Sequence, residues 1–109
     1  MLLAAASAAA AGCGSSAHTR LVSVHWSLFH AAGRQLTVQS VSGGCERFDH
    51  AGVKETDQRV TVAVFNLLTR TPGEACTADA IMARSTITLR RPLGARKLVH
   101  APVTRGLTA

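Results

Sequence analysis

The chain has 109 residues, a formal net charge of +6 and 47% hydrophobic residues, with one Trp, three Phe and no Tyr. That length supports one small domain, near the lower end for a self-sufficient core. The basic residues are spread along the chain and aromatics are few, so the stacking platforms of single-strand nucleic-acid binders are missing and no nucleic-acid partner is expected. Arg greatly outnumbers Lys and Asn occurs only at Asn66, a bias typical of GC-rich coding sequence. The positive charge therefore has a source in codon usage as well as in function.

Residues 2–11 are apolar apart from Ser7. The run is too short for a transmembrane helix, which needs about 20 residues. It closes on Ala10-Ala11-Gly12-Cys13, which resembles the lipobox of bacterial lipoproteins: an aliphatic residue, a small residue, Gly or Ala, then Cys. The resemblance implies that the Cys13 thiol takes a diacylglycerol and that residues 1–12 are removed as a signal peptide. The acylated Cys13 then holds the protein on the extracytoplasmic face of the cell membrane. Ala11, Gly12 and Cys13 match the pattern, and Ala10 stands where Leu is commonest. No Lys or Arg precedes Arg20, whereas a signal peptide begins with a basic stretch; one explanation is a start codon assigned too late. The same residues also admit a plain secretion signal, or an Ala-rich N-terminal helix with an incidental cysteine.

Residues 13–19 are small and polar after the cysteine and read as a tether. A domain over residues 20–101 follows. Residues 20–28 alternate, with Val22, Val24, Trp26 and Leu28 on one face, which marks a half-buried strand. Ala31-Ala32-Gly33-Arg34 reads as a turn, 35–41 as a strand with Leu36 and Val38 on one face, and Ser42-Gly43-Gly44 as a break. Residues 52–56 and 59–69 form a hairpin around Asp57-Gln58. In its second arm Val60, Val62 and Val64 share one face and Ala63, Phe65 and Leu67 the other, so that strand is expected to be central. Thr71-Pro72-Gly73-Glu74 is a turn. Residues 81–90 alternate again, with Ile87 and Leu89 inward. Pro92-Leu93-Gly94 turns the chain into a short strand over 97–100, and residues 102–109 read as a loose tail. Short strands separated by turn signals give an all-β fold, a small antiparallel β-sandwich of about six strands. Its expected core is Val24, Trp26, Leu36, Val38, Val60, Val62, Val64, Ile87 and Leu89.

Three cysteines resolve into one anchor and one pair. With Cys13 acylated, Cys45 and Cys76 are left for a disulfide, which suits an oxidising compartment. Closing a loop of about 32 residues is worth about 3–4 kcal/mol in the chain-entropy picture. The alternative is two buried free thiols.

Gly44-Cys45, Val53-Lys54-Glu55-Thr56, Arg59-Val60-Thr61-Val62, Cys76, Ile87-Thr88-Leu89 and Pro92-Leu93-Gly94-Ala95-Arg96 occur in that order. The order resembles a class of small exported proteins and lipoproteins of GC-rich actinobacteria, in which two cysteines flank a Glu-Thr hairpin and a Pro-Leu-Gly-x-Arg turn precedes the last strand. The resemblance covers about residues 43–100. It implies a fold and a location, and carries no catalytic residue.

The residues offer no recognisable reaction. Five histidines are scattered, without a His-Glu-x-x-His helix or a close Cys/His cluster, although folding could gather Asp49, His50 and another ligand. No metal or cofactor is expected. There is no Gly-x-Ser-x-Gly elbow, and no spacing singles out a carboxylate pair. Glu55 alternates with Val53 and leans toward the core side, and Arg96 follows a rigid turn. A bidentate Arg96–Glu55 pair would fix two hairpins together as a structural device. The expected function is a non-enzymatic binding or structural module of the envelope. Its expected partners are the membrane, through the lipid, and an envelope protein or anionic polymer. The alternatives are a small envelope hydrolase or accessory enzyme, and an electrostatic binder of anionic lipid or wall polymer through Arg84, Arg90, Arg91, Arg96 and Lys97.

Overall fold

A computed structural model describes residues 18–104. Cys13, the expected signal peptide and most of the tether lie outside the described residues, as does the tail from 105 on. Seven strands form two sheets: β1 His18–Val24, β2 Trp26–Ala32, β3 Gln35–Ser42, β4 Glu46–Glu55, β5 Arg59–Arg70, β6 Ile81–Thr88 and β7 Lys97–His100. Sheet A is ordered β1-β5-β4, with β7 also on β5, and sheet B is ordered β2-β3-β6. The fold is an all-β sandwich without a helix among the described residues.

The expected first strand is two strands. Val24 and Trp26 both reach the core, yet β1 pairs with β5 and β2 with β3. The chain leaves sheet A at His25 and continues in sheet B. Alternation persists through the change because inward means the same interior on either side. By leaving at Val24, β1 covers β5 only from Val64 to Arg70. β7 fills the rest of that edge, pairing parallel with Arg59–Val62, so sheet A is mixed and not purely antiparallel.

The junction is held by polar contacts. The Trp26 indole N–H donates to the Val62 carbonyl (2.9 Å), which also accepts from the Ala101 N–H (2.9 Å). The Trp26 backbone N–H donates to His100 Nε2 (2.9 Å), and His100 Nδ1 lies 2.7 Å from the Ala101 carbonyl. Only the Nδ1–H form of the imidazole serves both. The rings of Trp26, His100 and His25 stack in sequence. Beyond them Pro102–Thr104 bind the free edge of β1. Ser23 N–H donates to Thr104 Oγ1, Ser23 Oγ to the Pro102 carbonyl, and Thr104 N–H to the Ser23 carbonyl. The start of the expected tail is thus fixed, and the last two expected tether residues, His18 and Thr19, already belong to β1.

The core comprises the nine expected residues and Val22. Other boundaries differ. The β2–β3 turn is Gly33-Arg34 alone, β6 stops at Thr88, and β4 starts at Glu46. The β4 register shifts between Phe48 and His50, and that of β2 between Leu28 and His30. Both bulges lie on strands at sheet edges, where they discourage edge-to-edge pairing. Asn66 sits on the core face of β5 and is fully buried. Its amide donates to Glu46 Oε1 (3.0 Å), joining the start of β4 to the interior.

Cys45 and Cys76 form a disulfide with Cα atoms 5.2 Å apart. It ties the β3–β4 link to the β5–β6 link. The second link crosses so close to the first that only glycine fits at position 43, where a Cβ would collide with the Asp79 carbonyl. At Gly44 a Cβ would lie 2.6 Å from the Thr77 carbonyl, and φ is +59°. Gly43→Ala should therefore lower stability by at least about 2 kcal/mol, a backbone collision and not a contact loss. Gly52→Ala, whose Cβ would meet Phe65 at an ordinary 3.7 Å, should change it by under about 1 kcal/mol. Thermal melts of the two variants read the difference.

Candidate functional site

At the sandwich end opposite the disulfide, β4 turns into β5 and the β6–β7 link folds back. Gly94, at φ +57°, lets Pro92-Leu93-Gly94-Ala95 close, with Arg96 N–H donating to the Leu93 carbonyl (3.0 Å). This aims the Arg96 side chain at the end of β4. Glu55, opposite Val60 on the core-facing register of β4, meets it there. Arg96 Nη1 lies 3.2 Å from Glu55 Oε1, and the two side chains are only 7% and 6% exposed.

The pair is not the expected bidentate one. Arg96 Nη1 donates to Glu55 Oε1 and the Thr56 carbonyl, Nη2 to the Arg91 and Pro92 carbonyls, and Nε to the Leu93 carbonyl. All five guanidinium donors are thereby engaged. Glu55 Oε2 accepts from the Arg90 backbone N–H (2.8 Å), and the Arg90 guanidinium lies 3.6 Å away. The fork is spread over four carbonyls because the turn wraps around the guanidinium, which leaves one nitrogen for the carboxylate. Glu55 is held below the ordinary glutamate value of 4.5, chiefly by the Arg90 backbone N–H. Partial desolvation opposes this, and the Arg96 hydrogen bond and both arginine charges reinforce it.

Around this node Glu55, Thr56, Asp57, Arg90, Arg91 and Arg96 line an open hollow of about 300 Å³. Arg91 Nη2 pairs with Asp57 Oδ1 at 3.0 Å. Two carboxylates among three arginines make the hollow nearly neutral, and its Arg96 has no donor left for a ligand.

The structure does not gather the five cations expected to meet anions. Arg84 lies on β6 in sheet B, its guanidinium 3.8 Å from the centre of the Phe29 ring and its Nε near Gln39. Arg90, Arg91 and Arg96 are drawn into the carboxylate node, and Lys97 lies on β7 in sheet A. Asp49 and His50 pair at 2.6 Å beside the Phe65 ring. No group of three His, Cys, Asp or Glu side chains suited to a metal ion occurs among the described residues.

A different set of cations shares one surface. β5 turns Val60, Val62, Val64 and Asn66 inward, so Arg59, Thr61, Ala63, Phe65 and Leu67 face outward. By register Lys54 lies beside Thr61, Arg47 and Leu21 beside Leu67, and Lys97 beside Arg59. Arg47, Lys54, Arg59 and Lys97 are exposed. On these ladder positions no carboxylate faces outward, and Asp49, in the bulge, is paired with His50. Sequence reading found the outward Ala63, Phe65 and Leu67 but not Arg47 and Lys54 as their neighbours, because the bulge shifts the β4 register between them.

No protein-family model matches the chain, and no curated protein or solved structure matches it.

Arg96→Ala should lower the melting temperature on the order of 10 °C by removing the guanidinium from Glu55 Oε1 and from the Thr56, Arg91 and Pro92 carbonyls. Arg96→Lys, with three donors in place of five, should restore only part of it. Arg91→Ala, which removes an exposed pair, should shift it by no more than about a few degrees. Because folding lowers the Glu55 value, its stabilisation is complete above the ordinary value and lost as pH falls through the folded one. Melts between pH 7 and pH 2 should show a loss that sets in as pH falls below the ordinary value of 4.5 and is smaller in Glu55→Gln.

Proposed function

We propose that the chain is a lipid-anchored, non-enzymatic binding module of the cell envelope, held by acylated Cys13 on the extracytoplasmic face of the membrane. The observation that carries the reading is the order of parts: Ala10-Ala11-Gly12-Cys13, five residues later the first strand at His18, then a sandwich closed by a disulfide. A disulfide that joins two links suits an oxidising compartment, and Cys13 is then the odd cysteine, free for a lipid. The likeness to small exported actinobacterial lipoproteins points the same way.

The polar node supports binding over chemistry. A general acid or base needs a group free to move a proton to a substrate. Glu55 instead accepts from Arg90 and Arg96, and Arg96 spends every donor inside the fold. Their geometry fastens the β4–β5 hairpin to the β6–β7 link.

Intact-mass measurement of protein extracted from membranes should give a chain beginning at Cys13 with diacylglycerol attached. Cys13→Ser should move the protein out of the detergent phase. An unmodified N-terminus elsewhere would refute the anchor.

A further inference from the structure

We infer that the outward face of sheet A is a docking surface for an anionic lipid bilayer, so that the sandwich lies flat on the membrane that anchors it. The inference rests on the anchored reading for its setting, and on a separate observation for its content. Arg47, Lys54, Arg59 and Lys97 project from the same face of sheet A, Arg47 beside Leu67 at one end and Lys54, Arg59 and Lys97 toward the other, with Phe65 between. Lys54 and Lys97 are the two lysines of the chain.

The asymmetry between the two sheets selects this face. The outward positions of sheet B carry Gln35, Thr37, Gln39, Val41, Met82, Thr86 and Thr88, with a single cation, Arg84, laid on Phe29. The carboxylates at the far end of the sandwich are matched by Arg90, Arg91 and Arg96. No ion pair engages Arg47, Lys54, Arg59 or Lys97 among the described residues. Four cations without an ion pair thus lie on one sheet face, where an anionic surface can meet them together, while Arg34, Arg70 and Arg84 lie apart from it.

Shape and reach specify a bilayer. From Leu67 to Arg59 the face runs about 25 Å along β5, at about 3.3 Å per residue. It is an open sheet surface and not a groove that would grip a single polymer strand. Phe65 and Leu67 are half-buried on it and Leu21 beside Leu67 is exposed, suited to the headgroup boundary while the cations reach lipid phosphates. The five residues from Cys13 to His18 span at most about 18 Å. β1 starts at the Leu67 end of this face, so an acylated Cys13 can enter the bilayer with the face lying on it.

The test uses the mature chain from residue 13 with Cys13→Ser, which carries neither the lipid nor the apolar leader and leaves the domain intact. It is sedimented with vesicles of phosphatidylglycerol and phosphatidylcholine, and with phosphatidylcholine alone. The protein should bind the mixed vesicles only, and less at high salt. Arg59→Gln with Lys97→Gln should weaken binding about 25-fold, at about fivefold per cation. Arg34→Gln with Arg84→Gln removes the same charge from elsewhere and should change it less than about threefold. An unchanged near-UV circular dichroism spectrum shows that each variant is folded. Equal losses in the two double variants, salt-insensitive binding, or preference for soluble polyphosphate over the vesicles would overturn the inference. The anchor is judged apart: an acylated native protein whose Cys13→Ser form ignores the vesicles leaves the anchor standing and the docking face refuted. Charge-dependent vesicle binding by a protein that is never acylated does the reverse.

Discussion

The backbone of β5 needs partners along two edges for twelve residues, and β1 leaves it after seven. One edge is served by β4 throughout most of its length, and the other must be shared. Where β1 departs, β7 arrives from the opposite direction, and the chain ends of both strands meet at Val62 and Val64. The seam works because Val62 offers one carbonyl to two donors, the Trp26 indole and the Ala101 backbone. An unpaired backbone group in the middle of a buried strand would cost more than an ordinary hydrogen bond yields. The positions of Trp26, His100 and the start of the C-terminal segment follow from that need.

Each end of the sandwich is then closed by a different chemistry. At one end the Cys45–Cys76 disulfide joins the two links that cross between sheets, and glycines at 43 and 44 let their backbones touch. At the other end Arg96 stands in for a covalent bridge with five hydrogen bonds, four to backbone carbonyls and one to a carboxylate. This division explains why charge is distributed as it is. Three arginines and two carboxylates are committed to architecture near the β4–β5 turn, which leaves the cations of β4, β5 and β7 facing outward on sheet A without acidic neighbours on the ladder.

The fold class and the core were legible because alternation reports which side chains face an interior. Val60, Val62 and Val64 announce the central strand. The same signal could not show that Val24 and Trp26 belong to different sheets, since both point into one core. It also missed the first half of β4, where Glu46-Arg47-Phe48-Asp49-His50 carries a bulge that breaks the period. The parallel placement of β7 depends on a vacancy left by β1, a tertiary fact with no local signature. At the candidate site, Glu55 and Arg96 could be named from a strand position and a rigid turn. That the guanidinium would be wrapped by carbonyls required the path of the link. The basic face was hidden for the same reason as the bulge, because only the register brings Arg47 and Lys54 beside Leu67 and Thr61.

These parts fit one orientation. In the proposed orientation the residues before β1 join the edge of sheet A, the internally paired charges lie at the far end, and Arg47, Lys54, Arg59 and Lys97 share the face turned to the bilayer. Both lysines lie on that face, which makes amine chemistry a direct reporter. Native protein on its membrane is treated with a water-soluble amine-acetylating reagent, and the same protein is treated after transfer to a neutral detergent. Lys54 and Lys97 should both be protected on the membrane and both modified in detergent. Equal modification of the two lysines in the two settings would contradict this orientation.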